Sequence, residues 1–168
     1  DIENLVNEFS SFARMPSPIF KKIQIDFVVQ RAVDFYKMSS NNEFYLKFPK
    51  KKKSINGDEE QLYRVFINLI KNSEDSISEK KEENKLFKGK INIEIDYNYD
   101  YIKITLADNG AGIKDTSKIM TPYFTTKKNG TGLGLPIVSK IINEHKGELI
   151  FSNNNPGAKV LITFPRIN

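Results

Sequence analysis

The chain has 168 residues, with 26 Lys and Arg against 21 Asp and Glu, a single His and no Cys. That length suits one domain with a short extra arm and is enough to bury a substantial core. The composition excludes disulfides, thiol chemistry and a Cys-based zinc site, and no apolar run is long enough to cross a bilayer as a helix.

The net charge of +5 gathers at Lys50 to Lys53 and in the stretch from Lys80 to Lys90, which also carries Glu82 and Glu83. Neither stretch interleaves aromatic rings with positive charge as a single-strand platform does. Both read as solvated loops, and no nucleic-acid partner is expected. The opening DIENLVNEFSSF lacks the basic and apolar regions of a secretory signal. It starts on a polar helical pattern without Met, which predicts a fragment of a longer protein.

Residues 1–14 place Ile2, Leu5, Val6, Phe9 and Phe12 or Ala13 at helical spacing. The Met-Pro-Ser-Pro run at 15–18 ends that helix, because proline cannot continue it. Residues 1–18 therefore read as the tail of a longer helix with its linker, and 19–168 as the main domain. The segment after Asp26 reads as an amphipathic helix capped by that Asp. EFYLKF (43–48) alternates as a strand. Gly57-Asp58 opens a long helix over 58–78, with Leu62, Phe66, Leu69, Ile70, Ser73 and Ile77 on one face. Segments 90–98 and 101–108 alternate strictly and form a hairpin across Tyr99-Asp100. Residues 114–131 show little periodicity and suit a functional lid. A helix over 133–145 tolerates Pro136 in its first turn, and 147–153 and 158–165 form a last hairpin. The sum is about five strands and three main helices. That predicts an α+β, two-layer sandwich, a mixed five-stranded sheet with helices on one face.

Three clusters carry chemistry. On the long helix, at about 100° per residue, Asn68, Asn72 and Asp75 share a narrow arc opposite the apolar stripe, with Lys71 at its edge. They are either solvated polar residues or neutral oxygen donors for a hard cation that takes its other ligands from phosphates. Asp108 ends an apolar strand and precedes Gly110 and Gly112. It makes either an ordinary turn or a carboxylate placed to accept a hydrogen bond from an exocyclic amine such as that of adenine. In 121–130, Phe124 is an apolar plug, while Thr125, Thr126, Lys127 and Lys128 suit a polyphosphate clamp. Gly130, Gly132 and Gly134 then lead into a helix. Their spacing is neither the dinucleotide fingerprint nor the phosphate loop. It leaves a flexible loop or a bare backbone cradle for an anion at a helix N-terminus.

Asn68-x-x-x-Asn72, Asp108-x-Gly110-x-Gly112, Phe124 and Gly130-x-Gly132-x-Gly134, in this order, resemble the N, G1, F and G2 boxes of the histidine-kinase ATP-binding domain. That domain belongs to the superfamily of gyrase, the Hsp90 chaperones and MutL. The stretch 8–18 resembles the exit from the dimerisation helix of NtrY-type sensor kinases. The resemblance implies a Bergerat-type fold that binds ATP and magnesium. Asn72 would hold the metal with Asn68 supporting it, and Asp108 would read adenine. Gly110 and Gly112 would shape the purine pocket, and Phe124 would anchor a lid. Lys127 would reach the terminal phosphates, and Gly130, Gly132 and Gly134 would offer backbone N–H groups to them. Asp75, Ile113, Thr126, Thr131, Leu133 and Leu135 complete the implied nucleotide contacts.

The superfamily's ATPases carry Glu where this chain has Asn68, and an amide takes no proton from water. Phosphoryl transfer is therefore favoured over hydrolysis, and neither Glu74 nor Asp75 is assigned as a base. The single His145 reads as a helix C-terminal residue favoured by the dipole. The implied phosphoacceptor His lies on a dimerisation domain outside this chain. The implied partners are ATP, that domain and a response regulator. The implied whole is a membrane-anchored homodimer of a bacterial inner membrane, with this portion cytoplasmic. A non-catalytic or serine-kinase-type regulatory module of the same superfamily stays open.

Overall fold

The computed structural model describes residues 2–115 and 134–167. Helix α1 (Ile2–Ala13) leads to strand β1 (Lys21–Gln24), which runs directly into α2 (Ile25–Lys37). Strands β2 (Glu43–Lys47) and β3 (Ser54–Gly57) precede the long helix α3 (Glu59–Glu83). The hairpin β4 (Lys90–Tyr97) and β5 (Tyr101–Asp108) follows, then α4 (Gly134–Glu144), and β6 (Glu148–Asn153) with β7 (Ala158–Pro165) closes the chain.

The main sheet has the order β2-β4-β5-β7-β6, with β2 parallel to β4 and the other neighbours antiparallel. All five predicted strands are in it. Strict alternation turns Ile91, Ile93 and Ile95 of β4, Ile102, Ile104 and Leu106 of β5, and Val160, Ile162 and Phe164 of β7 inward. Helix α3 packs between α2 and α4 over that face. It buries Leu62, Val65, Phe66, Leu69, Ile70 and Ile77, and each such side chain contributes roughly 1.5–3 kcal/mol.

The structure corrects four expectations. Strands β1 and β3 pair with each other as a separate two-stranded sheet; at four residues apiece they are too short for alternation to show. Asp26 does not cap α2. Gln24 occupies that position without a side-chain bond, while Asp26 is buried in the first turn and pairs with Lys52 Nζ at 2.6 Å. Helix α3 runs on to Glu83, so the start of the Lys80 to Lys90 stretch is helix, not loop. Its Lys and Glu side chains are good helix formers whose charges stay in water. At its start, Asp58 is the cap, with its carboxylate accepting from Gln61 N at 3.1 Å.

The fourth correction is His145. It is 4% exposed, and both ring nitrogens are engaged. Nε2 accepts from Asp58 N at 2.9 Å, and Nδ1 lies 2.7 Å from Ile141 O. The ring is thus neutral with its proton on Nδ1, not a cation answering the helix dipole. Phe20 packs edge-on against it, with ring centroids 5.2 Å apart, and Asp58 Oδ2 accepts from Ile19 N at 2.9 Å. One buried imidazole therefore joins the 14–20 connector, the start of α3 and the end of α4.

Burial lowers the His145 pKa below its ordinary 6.5, outweighing the pull of Ile141 O, Asp58 and Glu144. The unfolded chain then binds this proton more tightly, so the stabilisation is complete above pH 6.5 and is lost as pH falls through the folded value. Urea melts should show stability falling below about pH 6.5. A His145→Leu variant should be about 1–2 kcal/mol weaker at neutral pH and should lack that slope.

Candidate functional site

Asp108 is the next inward position of β5 after Leu106, so alternation alone aims its carboxylate at the helical layer. It is 4% exposed. Oδ1 accepts from Gly110 N at 2.9 Å and Ala158 N at 3.3 Å. Burial pushes its pKa up from 3.8, against those two N–H groups and the Ser73 hydroxyl, which stabilise the charge.

The turn after Asp108 is fastened to α3 and to the β6–β7 end. Ala111 N donates to Ser76 O at 3.1 Å, and Gly112 N to Ser76 Oγ at 3.2 Å. A Cβ on Gly110 would lie 2.6 Å from Ser76 C and 2.7 Å from Ile77 N. Glycine is required there by the helix backbone itself. Gly112 has φ +84°, a conformation that favours glycine. Ile113 N donates to Asn153 Oδ1 at 2.8 Å, and Asn153 Nδ2 returns a bond to Ile113 O at 3.1 Å. Gly157 has φ +94°, and a Cβ there would sit 1.9 Å from Asp108 O.

Asn68, Asn72 and Asp75 are half-buried along α3, and Lys71 is exposed. Asn68 Nδ2 donates to Arg64 O at 2.9 Å. Its Oδ1 lies 3.3 Å from where a Cβ on Gly134 would stand, so it faces the first residue of α4. Leu135 packs against the core from the same turn. Glu74 leaves this stripe, since its Oε2 accepts from Asn42 Nδ2 beside β2. The hydroxyl of Tyr36 donates to Ile67 O at 3.1 Å. Its pKa is pushed up to about 12, chiefly by burial, with the charges of Asp75 and Glu74 adding.

Asp108, Gly110 and Gly112 thus meet the C-terminal half of α3, Ile113 meets Asn153 at the end of β6, and Asn68 meets Gly134. Phe124, Thr126, Lys127, Gly130, Thr131, Gly132 and Leu133 lie outside the described residues. Ser73, Ser76, Asn153 and Gly157 were not predicted to take part. A Ser within an apolar stripe was the available signal for Ser73; nothing marked the other three.

The donor set fits a nucleotide with a hard cation. A buried carboxylate at a strand end suits an exocyclic amine, and amide oxygens suit magnesium sharing phosphate oxygens. Among the described residues no three His, Cys, Asp or Glu side chains form a cation cage, so phosphate oxygens would complete the coordination.

Residues 57–168 match the family described as histidine kinase-, DNA gyrase B-, and HSP90-like ATPase. The chain belongs to this family. It is 36% identical, over 98% of its length, to an NtrY-like sensor histidine kinase of Rickettsia conorii, of which it spans 27%. It is 30% identical, over 97% of its length, to the nitrogen regulation protein NtrY of Azorhizobium caulinodans, of which it spans 22%. The catalytic domain of the histidine kinase ThkA is similar with a TM-score of 0.75 and 27% identity, over 88% of this chain and 96% of that one. Within the family, then, the chain is an ATP-binding catalytic domain of the histidine-kinase type.

Two variants separate function from stability in this domain. The raised Asp108 pKa means that its ionised form costs stability as pH rises above 3.8. Asp108→Asn should therefore melt about 2–4 °C higher at neutral pH without nucleotide, as scanning calorimetry can check. Gly157→Ala forces both a strained φ and a backbone collision, and should lose about 2–3 kcal/mol in a urea melt.

Proposed function

We propose that this chain binds magnesium-ATP between α3, α4 and the turn after β5, and presents its terminal phosphate to a His on a separate dimerisation domain. The observation that carries the reading is the buried Asp108 carboxylate, held at the strand end beside the α3 stripe that bears Asn72 and Asn68. Asp108 accepts from the adenine amine, and the fastened 108–113 turn keeps it in place. Asn72 holds the cation, supported by Asn68. When bound, ATP supplies the phosphoryl group and magnesium neutralises charge on its phosphates. The amide of Asn68 takes no proton from water, which favours transfer over hydrolysis. Phe124, Lys127 and the Gly130 to Gly134 run keep the lid, phosphate and backbone-donor roles that the family likeness implies.

His145 does not compete as acceptor, since both its nitrogens are engaged inside the domain. Residues 1–18 form the tail of the dimerisation helix with its linker. Leu5 and Phe12 lean on the domain, while Ile2, Val6 and Phe9 stay exposed, as suits a helix with a second helical neighbour. No described helix is long and apolar enough to cross a membrane. We place the chain on the cytosolic side of a homodimeric sensor anchored elsewhere in the protein. ThkA has been solved with the response regulator TrrA, and a response regulator is the partner proposed here.

Calorimetric titration with ATP should show magnesium-dependent binding. Asp108→Asn should weaken it at least about tenfold, and Asn72→Ala should abolish the magnesium dependence. Joined to its dimerisation helices, the domain should yield phosphate that is labile to acid and stable to base. Acid-stable phosphate would point instead to a serine kinase.

A further inference from the structure

The polar stripe of α3 has a direction. Ser73 and Ser76 touch Asp108 and its turn at one end. Asn72 and then Asn68 follow toward the helix N-terminus. One turn further, about 6 Å along the axis, stands Arg64. It lies within the same arc as Asn68 and Asn72, and its carbonyl oxygen holds Asn68 Nδ2 at 2.9 Å. If adenine is at Asp108 and the cation at Asn72, the terminal phosphate points toward Arg64.

Yet among the described residues Arg64 has no anion there. Its Nη2 donates to the hydroxyl of Ser11 on α1, at 2.8 Å. Among the described residues no carboxylate pairs with it. By contrast, Arg31 reaches Glu60 at 2.8 Å. A neutral hydroxyl is a weak partner for a half-buried guanidinium, which binds phosphate oxygens through paired, charge-assisted bonds. The helix that supplies the hydroxyl is lightly held, since no residue of α1 is fully buried.

We propose that Arg64 is a binding residue for the terminal phosphate of the nucleoside triphosphate, and that Ser11 holds it in reserve. Movement of α1 away from α3 releases the guanidinium onto that phosphate, so the position of α1 sets how tightly the triphosphate is held. The proposal rests on the nucleotide site described above and adds to it a residue and a control contact.

The test compares ATP with ADP, each with magnesium, by titration calorimetry on this chain and on Arg64→Ala and Ser11→Ala variants. Arg64→Ala should lose about tenfold or more in ATP affinity while its ADP affinity stays within about twofold. Ser11→Ala, which frees the guanidinium, should bind ATP about two- to fivefold tighter and leave ADP unchanged. The second variant leaves α3 untouched, so it decides the matter even if Arg64→Ala folds poorly. Equal effects on ATP and ADP, or none, would overturn the proposal and leave Arg64 as an anchor for α1. An unmodified chain that binds neither nucleotide would instead remove the site itself, and this proposal with it.

Discussion

The contact between the backbone of α3 at Ser76 and Ile77 and the bare α-carbon of Gly110 fixes the rest of the site. It brings the end of β5 so close to the helix that Ser76 bonds two successive N–H groups of the turn and Ser73 reaches the Asp108 carboxylate. One helix of 25 residues is therefore both the centre of the core and the floor of the proposed site. Its apolar stripe is held by the sheet, so its polar stripe is held as well. Hydrophobic burial on the opposite side of the same helix would thus pre-organise the proposed site.

Two of the buried titratable groups, His145 and Asp108, show how differently one fold uses polarity. His145 is satisfied on both sides by the protein and ties three segments together. Asp108 has its first oxygen satisfied by backbone donors, yet burial still acts against its charge. A group kept ionisable at a cost to stability is what a binding site needs and what a scaffold avoids.

The long elements were legible in the sequence because their patterns are unambiguous. Ile91, Ile93 and Ile95 alternate, and Leu62, Phe66, Leu69 and Ile70 recur at helical spacing, so strand and helix followed directly. The orientation of Asp108 was latent in the same alternation. The four-residue strands β1 and β3 were not legible, because two inward positions do not make a period. Asp26 misled for a similar reason, since an acidic residue before an apolar run suits both a cap and a first turn. For the proposed site, Asn68, Asn72 and Asp108 could be chosen by type and spacing. Ser76, Asn153 and Gly157 could not, because their roles come from contacts between segments 36 to 50 residues apart.

The connector between α1 and β1 is seven residues long, 14–20, and three of its positions are fixed. Pro16 O accepts from Gln61 Nε2, Ile19 N donates to Asp58, and Phe20 lies against His145. Little slack is left. A flexible tether would let the domain sample a large volume and dilute whatever is attached before it. Here the connector is short and tied to the domain at three of its positions. A twist or pull on α1 would therefore reach the cap of α3 instead of being absorbed on the way.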